Sequence, residues 1–443
     1  MKLLITGAPQ LEALLPDVSM DPKLQYRPSV FNYIYRHGEA IYVYNTLSRR
    51  LALIDPQEES TLTGGSQQIP EALVQKRFLV RQDTDETKHY AEAYAVLDSF
   101  ARLTDRGYST YEILPTTSCN ARCFYCYEAG TAQRQMTPET ADAVVEFIRR
   151  TRDPGKKLRL YWFGGEPLCR PEIIDRICRQ LTKNRIPFYS TMVTNGILWT
   201  PELIRKAKKH WLLDRVQVSL DGYGEEHNRR KAYHGIAGDP FTKTIDNISA
   251  LVNAGIGVMV RLNMDPGNIE SIHQVYEYMK ARFTTEQRIL FDPATLMEQW
   301  FQWSAGRTPE QQAQLRQAWQ ALRTRIAEDG FSRAKPLSNS LPRHFCMAND
   351  PSCVTILPDG NLSLCQTGNE NLYYGDVWQG IAKPELLDQW RCNTTIRPKC
   401  SGCTWLPECT GFAMCTAQTT DCKENAEDRF RHKLRRTISD LKP

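Results

Sequence analysis

Fourteen cysteines, and where they fall, constrain this 443-residue chain more than any other feature. Three lie within eight residues, at Cys119, Cys123 and Cys126, and nine more fall between Cys346 and Cys422. Disulfides would account for such numbers in a secreted protein. The opening residues argue against that setting: Met1-Lys2-Leu3-Leu4-Ile5 breaks at Thr6-Gly7, and Glu12 and Asp17 follow, too short a run for a secretory signal. No apolar run approaches the roughly 20 residues that span a bilayer. The expectation is a cytoplasmic protein without a membrane partner, whose reduced, clustered thiols serve as metal ligands.

The remaining composition sets bounds. With 41% hydrophobic and 24% charged residues the chain is ordinary for a globular protein of two or three domains. A net charge of +5 is too mild to point to nucleic acid, but leaves room for a basic groove that takes an acidic peptide.

Four regions and a tail follow along the chain. Residues 1–105 begin with alternating stretches at Asn32–Tyr35, Ile41–Tyr44 and Leu51–Ile54, with a hairpin turn at His37-Gly38. Helical patterns around 70–76 and 87–103 complete a small α/β module. Residues 106–305 alternate strand and helix. The strands are expected at Tyr111–Thr116, Leu158–Phe163, Phe188–Thr194, Arg215–Leu220, Ile256–Leu262 and Arg288–Phe291, with helices such as Pro138–Arg149, Pro201–Lys209 and Phe241–Asn253. Six strands separated by helices predict an α/β fold with a parallel sheet, a partial (β/α)6 TIM-like barrel that binds ligands at the carboxyl ends of its strands. A helical linker at 306–342 leads to a turn-rich region, 343–430, with too few apolar runs for a normal core, and a tail at 431–443.

The segment Cys119-Asn120-Ala121-Arg122-Cys123-Phe124-Tyr125-Cys126 follows the first barrel strand and offers three thiolates without a fourth nearby. A [4Fe–4S] cubane held this way keeps one iron open to a chelating small molecule. Zinc sites ordinarily use four ligands in two pairs. The C-x3-C-x2-C spacing, with Tyr125 before the last cysteine, resembles the signature of the radical S-adenosylmethionine (SAM) superfamily. That resemblance implies Cys119, Cys123 and Cys126 as cluster ligands. It also implies SAM on the open iron, and a 5′-deoxyadenosyl radical that abstracts a substrate hydrogen. It further implies cofactor contacts from Tyr125, from Gly164-Gly165-Glu166 after strand two, and from Asn195 after strand three. Ser219 and Asp221 after strand four, and Arg230 beyond them, complete that set. Turn chemistry explains Asn195-Gly196 and Asp221-Gly222 equally well. His227 reads as a local hydrogen-bonding residue.

In the tail, Asp359-Gly360-x4-Cys365 and Cys400-x2-Cys403-x5-Cys409 resemble the SPASM domain of peptide-modifying radical SAM enzymes. The resemblance implies two auxiliary [4Fe–4S] clusters, one on Cys346, Cys353, Cys365 and Cys415, the other on Cys400, Cys403, Cys409 and Cys422. The five residues between Cys409 and Cys415 depart from the family's three. Cys169 and Cys178 read as inert thiols, and Cys392 as a reserve ligand. Sulfatase maturases, a more distant resemblance, carry a catalytic aspartate after the cysteine matching Cys365. Gln366 stands there, and an amide takes no proton at neutral pH. The implied function is therefore a ribosomal-peptide maturase that installs a thioether, ether or carbon–carbon cross-link. Its partners would be a precursor peptide with a leader, bound by the amino-terminal module as an added strand, and an electron donor such as flavodoxin or ferredoxin. Formylglycine formation and chemistry on a small metabolite are the alternatives.

Overall fold

A computed structural model describes the chain apart from residues 17, 67, 105, 297–306, 333–336, 339–340, 342–345, 393–394, 410–421 and 442–443, and the side chains of 10, 422–426, 428, 429 and 432. The described residues divide into two compact units. One joins Met1–Thr104 to Ala334–Cys346 and Cys392–Pro443, and the other joins Asp105–Arg333 to Met347–Arg391. Residues of the 343–430 region therefore fall in both units.

The first unit opens with β1 (Lys2–Thr6), α1 (Pro9–Glu12), β2 (Tyr26–Pro28), β3 (Asn32–His37), β4 (Ala40–Asn45) and β5 (Arg50–Ile54). It continues through α2 (Pro56–Leu62), α3 (Glu71–Gln75), β6 (Leu79–Arg81) and α4 (Glu86–Thr104). The expected meander is present as an antiparallel sheet in the order β1-β5-β4-β3. Gly38, at φ +60°, makes the hairpin turn between β3 and β4. β4 is buried on both faces, which fits its apolar and aromatic sequence Ala-Ile-Tyr-Val-Tyr-Asn.

The second unit holds the alternating region. Its elements are β7 (Thr110–Ile113), α5 (Pro138–Thr151), β8 (Leu158–Trp162), α6 (Pro171–Lys183), β9 (Phe188–Thr194), α7 (Pro201–Lys209) and β10 (Leu213–Leu220). Then follow α8 (Glu225–Lys231), α9 (Pro240–Asn253), β11 (Gly257–Met264), α10 (Ile269–Lys280), β12 (Ile289–Thr295) and α11 (Pro309–Glu328). Helix starts are written into the sequence: Thr137, Thr200 and Asp239 each cap the backbone N–H three residues on, and proline follows each of them.

β7 to β12 pair in sequence order, all parallel. Four further strands extend the β7 edge: β13 (Cys353–Ile356) pairs parallel with β7, and β14 (Asn361–Ser363), β15 (Tyr373–Asp376) and β16 (Gly380–Ile381) follow antiparallel. The barrel is partial because β13, not β12, takes the free edge of β7. This corrects the expectation of a stretch without a core: Val354, Ile356, Leu362, Leu364, Tyr374 and Val377 are buried in the same hydrophobic cluster as the barrel helices, and α12 (Pro384–Arg391) adds Leu387. Back in the first unit, α13 (Leu406–Cys409) and α14 (Cys422–Leu441) complete the chain, with Phe430 and Leu434 buried against Tyr44 and Trp405.

Strand alternation separates two faces of the barrel sheet. Tyr111, Leu160, Met192, Val218, Val260 and Phe291 face the helices and are buried. Their neighbours Arg159, Tyr161, Thr191, Gln217, Ser219, Arg261 and Asp292 face the other way and keep partial exposure. A polar, partly open inner face thus runs beneath the strand ends.

Candidate active site

The three-cysteine loop lies between β7 and α5 and is fastened at both ends. Glu166 N–H donates to Ser118 O at 3.0 Å, Gly165 N–H to Thr116 O at 3.2 Å, and Arg122 N–H to Lys231 O at 2.9 Å. The glycine pair makes this approach possible. A Cβ on Gly164 would stand 2.3 Å from Thr116 O, and one on Gly165 would stand 2.5 Å from Ser118 O. Their first role is thus to let the end of β8 lie against the cysteine loop.

Cys119, Cys123 and Cys126 are all half-buried. Burial pushes the Cys119 thiol up to about 12, with Glu166 adding to the rise, and raises Cys123 and Cys126 in the same direction. Thiols held neutral in this way favour ionisation only when a strong positive centre is supplied. Among the described residues no three His, Cys, Asp or Glu side chains gather tightly enough to hold a single metal ion. A cubane takes its thiolates one per iron. Three thiols on one fastened loop, with the buried amide nitrogen of Asn120 left without a partner beside them, fit such a group.

Glu166 is fully buried and clasps the next strand. It accepts from Asn195 N–H at 2.7 Å, Thr194 Oγ1 at 2.8 Å and Leu168 N–H at 3.1 Å. Burial pushes its carboxyl up to about 7 against the pull of these donors. Asn195 extends the clasp to the loop, donating to Asn120 Oδ1 at 2.8 Å, with its Nδ2 3.9 Å from Cys119 Sγ.

A second network closes the other side. Asp221, fully buried, accepts from Tyr125 Oη at 2.6 Å and Asn263 Nδ2 at 2.9 Å, and pairs with Lys231 Nζ at 3.2 Å. Lys231 also donates to Tyr125 Oη at 2.9 Å and Ser219 Oγ at 3.0 Å. Burial would raise the Asp221 carboxyl, but the Lys231 charge and the hydrogen bonds from Tyr125 and Asn263 hold it below its ordinary value. His227 accepts from Asp221 N–H, and burial drives its imidazole down to about 3, so it stays neutral. Arg230 turns its fork to Asp265, with N–O distances of 2.5 and 3.1 Å, and its Nε to Glu226.

Of the residues expected around the cofactor, Tyr125, Asn195, Ser219 and Asp221 are joined by these bonds to the cysteine loop or to one another. Gly164, Gly165 and Glu166 hold the loop and the neighbouring strand. Arg230 stands one position from the network with its charge already matched. Lys231 and Asn263 belong to the network and escaped the sequence reading. Three basic residues in a row, Arg229-Arg230-Lys231, give no signal of which one meets Asp221.

The tail cysteines divide between the units. Cys353 begins β13 and is buried, and Cys365 follows β14 half-buried. Cys346 is exposed at the end of its segment of the first unit. Cys400 and Cys403 share a turn closed by Cys403 N–H on Cys400 O, and Cys409 ends α13. Cys415 and the side chain of Cys422 lie outside the described residues. The side-chain amide of Gln366, after Cys365, lies 3.2 and 3.3 Å from the two carboxylate oxygens of Glu112, where a donating amide nitrogen satisfies both.

Comparison with known proteins agrees with this geometry. The AdoMet-dependent heme synthase of Methanosarcina barkeri is 23% identical over 320 residues, 67% of this chain and 88% of its own length. Among solved structures, anSMEcpe with bound AdoMet superposes with a TM-score of 0.57 at 14% identity, over 75% of this chain and 95% of that one. Streptococcus suis SuiB bound to precursor peptide SuiA gives 0.51 at 13% identity, over 88% and 95%. The Radical SAM superfamily model matches residues 113–280. That span contains the cysteine loop, the Glu166 clasp and the Asp221 network, and the chain carries a radical SAM domain.

Proposed function

We propose that this chain is a radical SAM maturase that abstracts a hydrogen from a ribosomally made precursor peptide and installs a cross-link. The observation that carries the peptide reading is the inner face. It stays polar and partly open from the strand ends down to Arg159, five residues before Gly164, a depth of roughly 16 Å at the rise of a strand. A surface of that depth takes an extended segment. The SuiB fold, which holds a precursor peptide in its own structure, extends over 88% of this chain and supports the same reading.

The family implies a [4Fe–4S] cluster on Cys119, Cys123 and Cys126 with SAM on its open iron, and this pair supplies the 5′-deoxyadenosyl radical. The chain's own residues have positioning tasks. Gly164 and Gly165 hold the loop against β8. Glu166 fixes the end of β9, and with it Asn195 beside Cys119. The Lys231–Asp221–Tyr125 network locks the rest of the loop and presents Ser219 and Asn263 toward the cofactor. Two auxiliary clusters on the tail cysteines would accept the surplus electron. Gln366 in place of an aspartate disfavours formylglycine formation.

The test is incubation of the anaerobically reconstituted protein with SAM, a reductant and precursor peptides carrying deuterium at candidate carbons. The reading predicts deuterium in 5′-deoxyadenosine and a peptide lighter by two hydrogens. The heme synthase relative, whose name denotes a small-molecule product, favours a second reading. Deuterium transfer from a tetrapyrrole and from no peptide would establish that one instead.

A further inference from the structure

The inner face of the barrel sheet carries more positive charge than it neutralises. Three arginines point from it: Arg159 on β8, Arg215 on β10 and Arg261 on β11. Arg261 meets Asp292 at 3.4 Å. The other two have no carboxylate within 4.0 Å among the described residues. Arg159 is half-buried, gives Nε and Nη2 to the neutral Thr191 hydroxyl at 3.2 Å, and lies over the Tyr161 ring at 4.9 Å. Arg215 stands opposite Thr191 in the β9–β10 register and is exposed, so the two arginines flank one threonine on neighbouring strands.

One acid on this face, Glu112, feels the charge of Arg159 but makes no ion pair with it among the described residues. Glu112 is fully buried and engaged with Thr355 Oγ1 at 2.8 Å and with Gln366. Burial pushes its carboxyl up to about 8 against the pull of the Thr355 hydroxyl and the charge of Arg159, so it leaves most of that charge unmatched at neutral pH. Elsewhere in this unit the buried cations are matched: Lys231 by Asp221, and Arg230 by Asp265 and Glu226. A half-buried guanidinium stacked on an aromatic ring and bonded only to a hydroxyl is oriented, and it retains N–H groups for a planar anion.

Distance separates these arginines from the cofactor. Arg159 lies roughly 16 Å along β8 from Gly164, too deep for a carboxylate of SAM held at the strand ends. We propose that Arg159 and Arg215 form an anion site on the inner face that takes an aspartate or glutamate side chain of the substrate peptide. The reacting residue must reach the strand ends, so the acidic residue sits about five positions from it in an extended segment. This assignment rests on the peptide reading above and narrows it to an acidic peptide.

The probe is acetyl-Gly-Glu-Gly-Glu-Gly-amide and its twin with glutamine at both acidic positions. Binding to the reconstituted, SAM-loaded full chain is measured by saturation-transfer NMR. The glutamate peptide should bind, and the glutamine twin should bind at least about tenfold more weakly. Arg159→Gln and Arg215→Gln should each erase most of that preference, whereas Arg159→Lys should keep part of it. Thr191→Val, which frees the guanidinium without removing it, serves if Arg159→Gln does not fold, and should weaken the glutamate peptide. Equal binding of the two peptides, no binding of either, or an unchanged preference in the folded variants overturns the site. Deoxyadenosine release by the same wild-type preparation tests the radical reading separately. Its absence beside a selective glutamate peptide would sink that reading and leave the anion site standing.

Discussion

At the strand ends of the barrel, Asp221 and Lys231 pair in full burial, and the half-buried Tyr125 and Ser219 complete their hydrogen bonds. On the inner face below, Arg159 and Arg215 have no carboxylate within 4.0 Å among the described residues, and Arg159 is bonded only to the Thr191 hydroxyl. The two regions lie on the same strands and differ in what burial demands. A charge removed from water must be paired within the fold, because the cost of leaving it alone is several kcal/mol. A charge on an open face is solvated until a ligand arrives, so its pairing can be left to the substrate. The first region is therefore built for rigidity and the second for recognition.

That contrast breaks most sharply at Lys231. Lys231→Met leaves Asp221 buried without its counter-charge and should cost about 3–5 kcal/mol in chemical unfolding. Adding Asp221→Asn should recover part of the loss. A stability unchanged by Lys231→Met would mean that the network does not hold the loop. Gly165→Ala comes next. Its methyl group would meet Ser118 O at 2.5 Å, so a loss of about 1–3 kcal/mol is expected, together with weaker retention of iron on gel filtration.

Glu112 sharpens the comparison through pH. Its carboxyl ionises at an ordinary 4.5 in the unfolded chain and near 8 in the folded one. Below 4.5 both states are protonated and burial costs nothing. As pH rises toward 8 the unfolded chain alone gives up the proton, so this group's contribution to stability falls across that window. Glu112→Gln should flatten the decline by its share, read from unfolding midpoints at several pH values. A steeper decline would contradict the assignment. The smallest effect belongs to Arg159→Met. With no ion pair to lose, it should move stability by less than about 1 kcal/mol. A loss on the scale of Lys231→Met would show that Arg159 is structural and not reserved for a ligand.

Much of this was legible in the chain. The strand at Phe188–Thr194 and the helix at Pro201–Lys209 have the bounds that their periodicity predicts, because alternation and capping are local signals. The cysteine loop, Gly-Gly-Glu and Asp221 were recognisable for the same reason: each is a short motif at a strand end. β13 to β16 were missed because they are strands of two to four residues, and β13 pairs with β7, more than 200 residues earlier. No local pattern records such a partner. Lys231 was missed because the phase of a seven-residue helix decides which of three adjacent cations reaches Asp221. The inner-face arginines were visible as polar positions of alternating strands, but which of them pair with a carboxylate, as Arg261 does with Asp292, is a tertiary fact.

The central claim is radical chemistry at the fastened cysteine loop. The most direct measurement compares 5′-deoxyadenosine formation by the anaerobically reconstituted wild type and a Cys119→Ala, Cys123→Ala, Cys126→Ala variant, each with SAM and a reductant. Deoxyadenosine is expected from the wild type alone, with about four iron atoms per chain lost in the variant. An iron-loaded wild type that releases no deoxyadenosine, or a variant that releases as much, would contradict it.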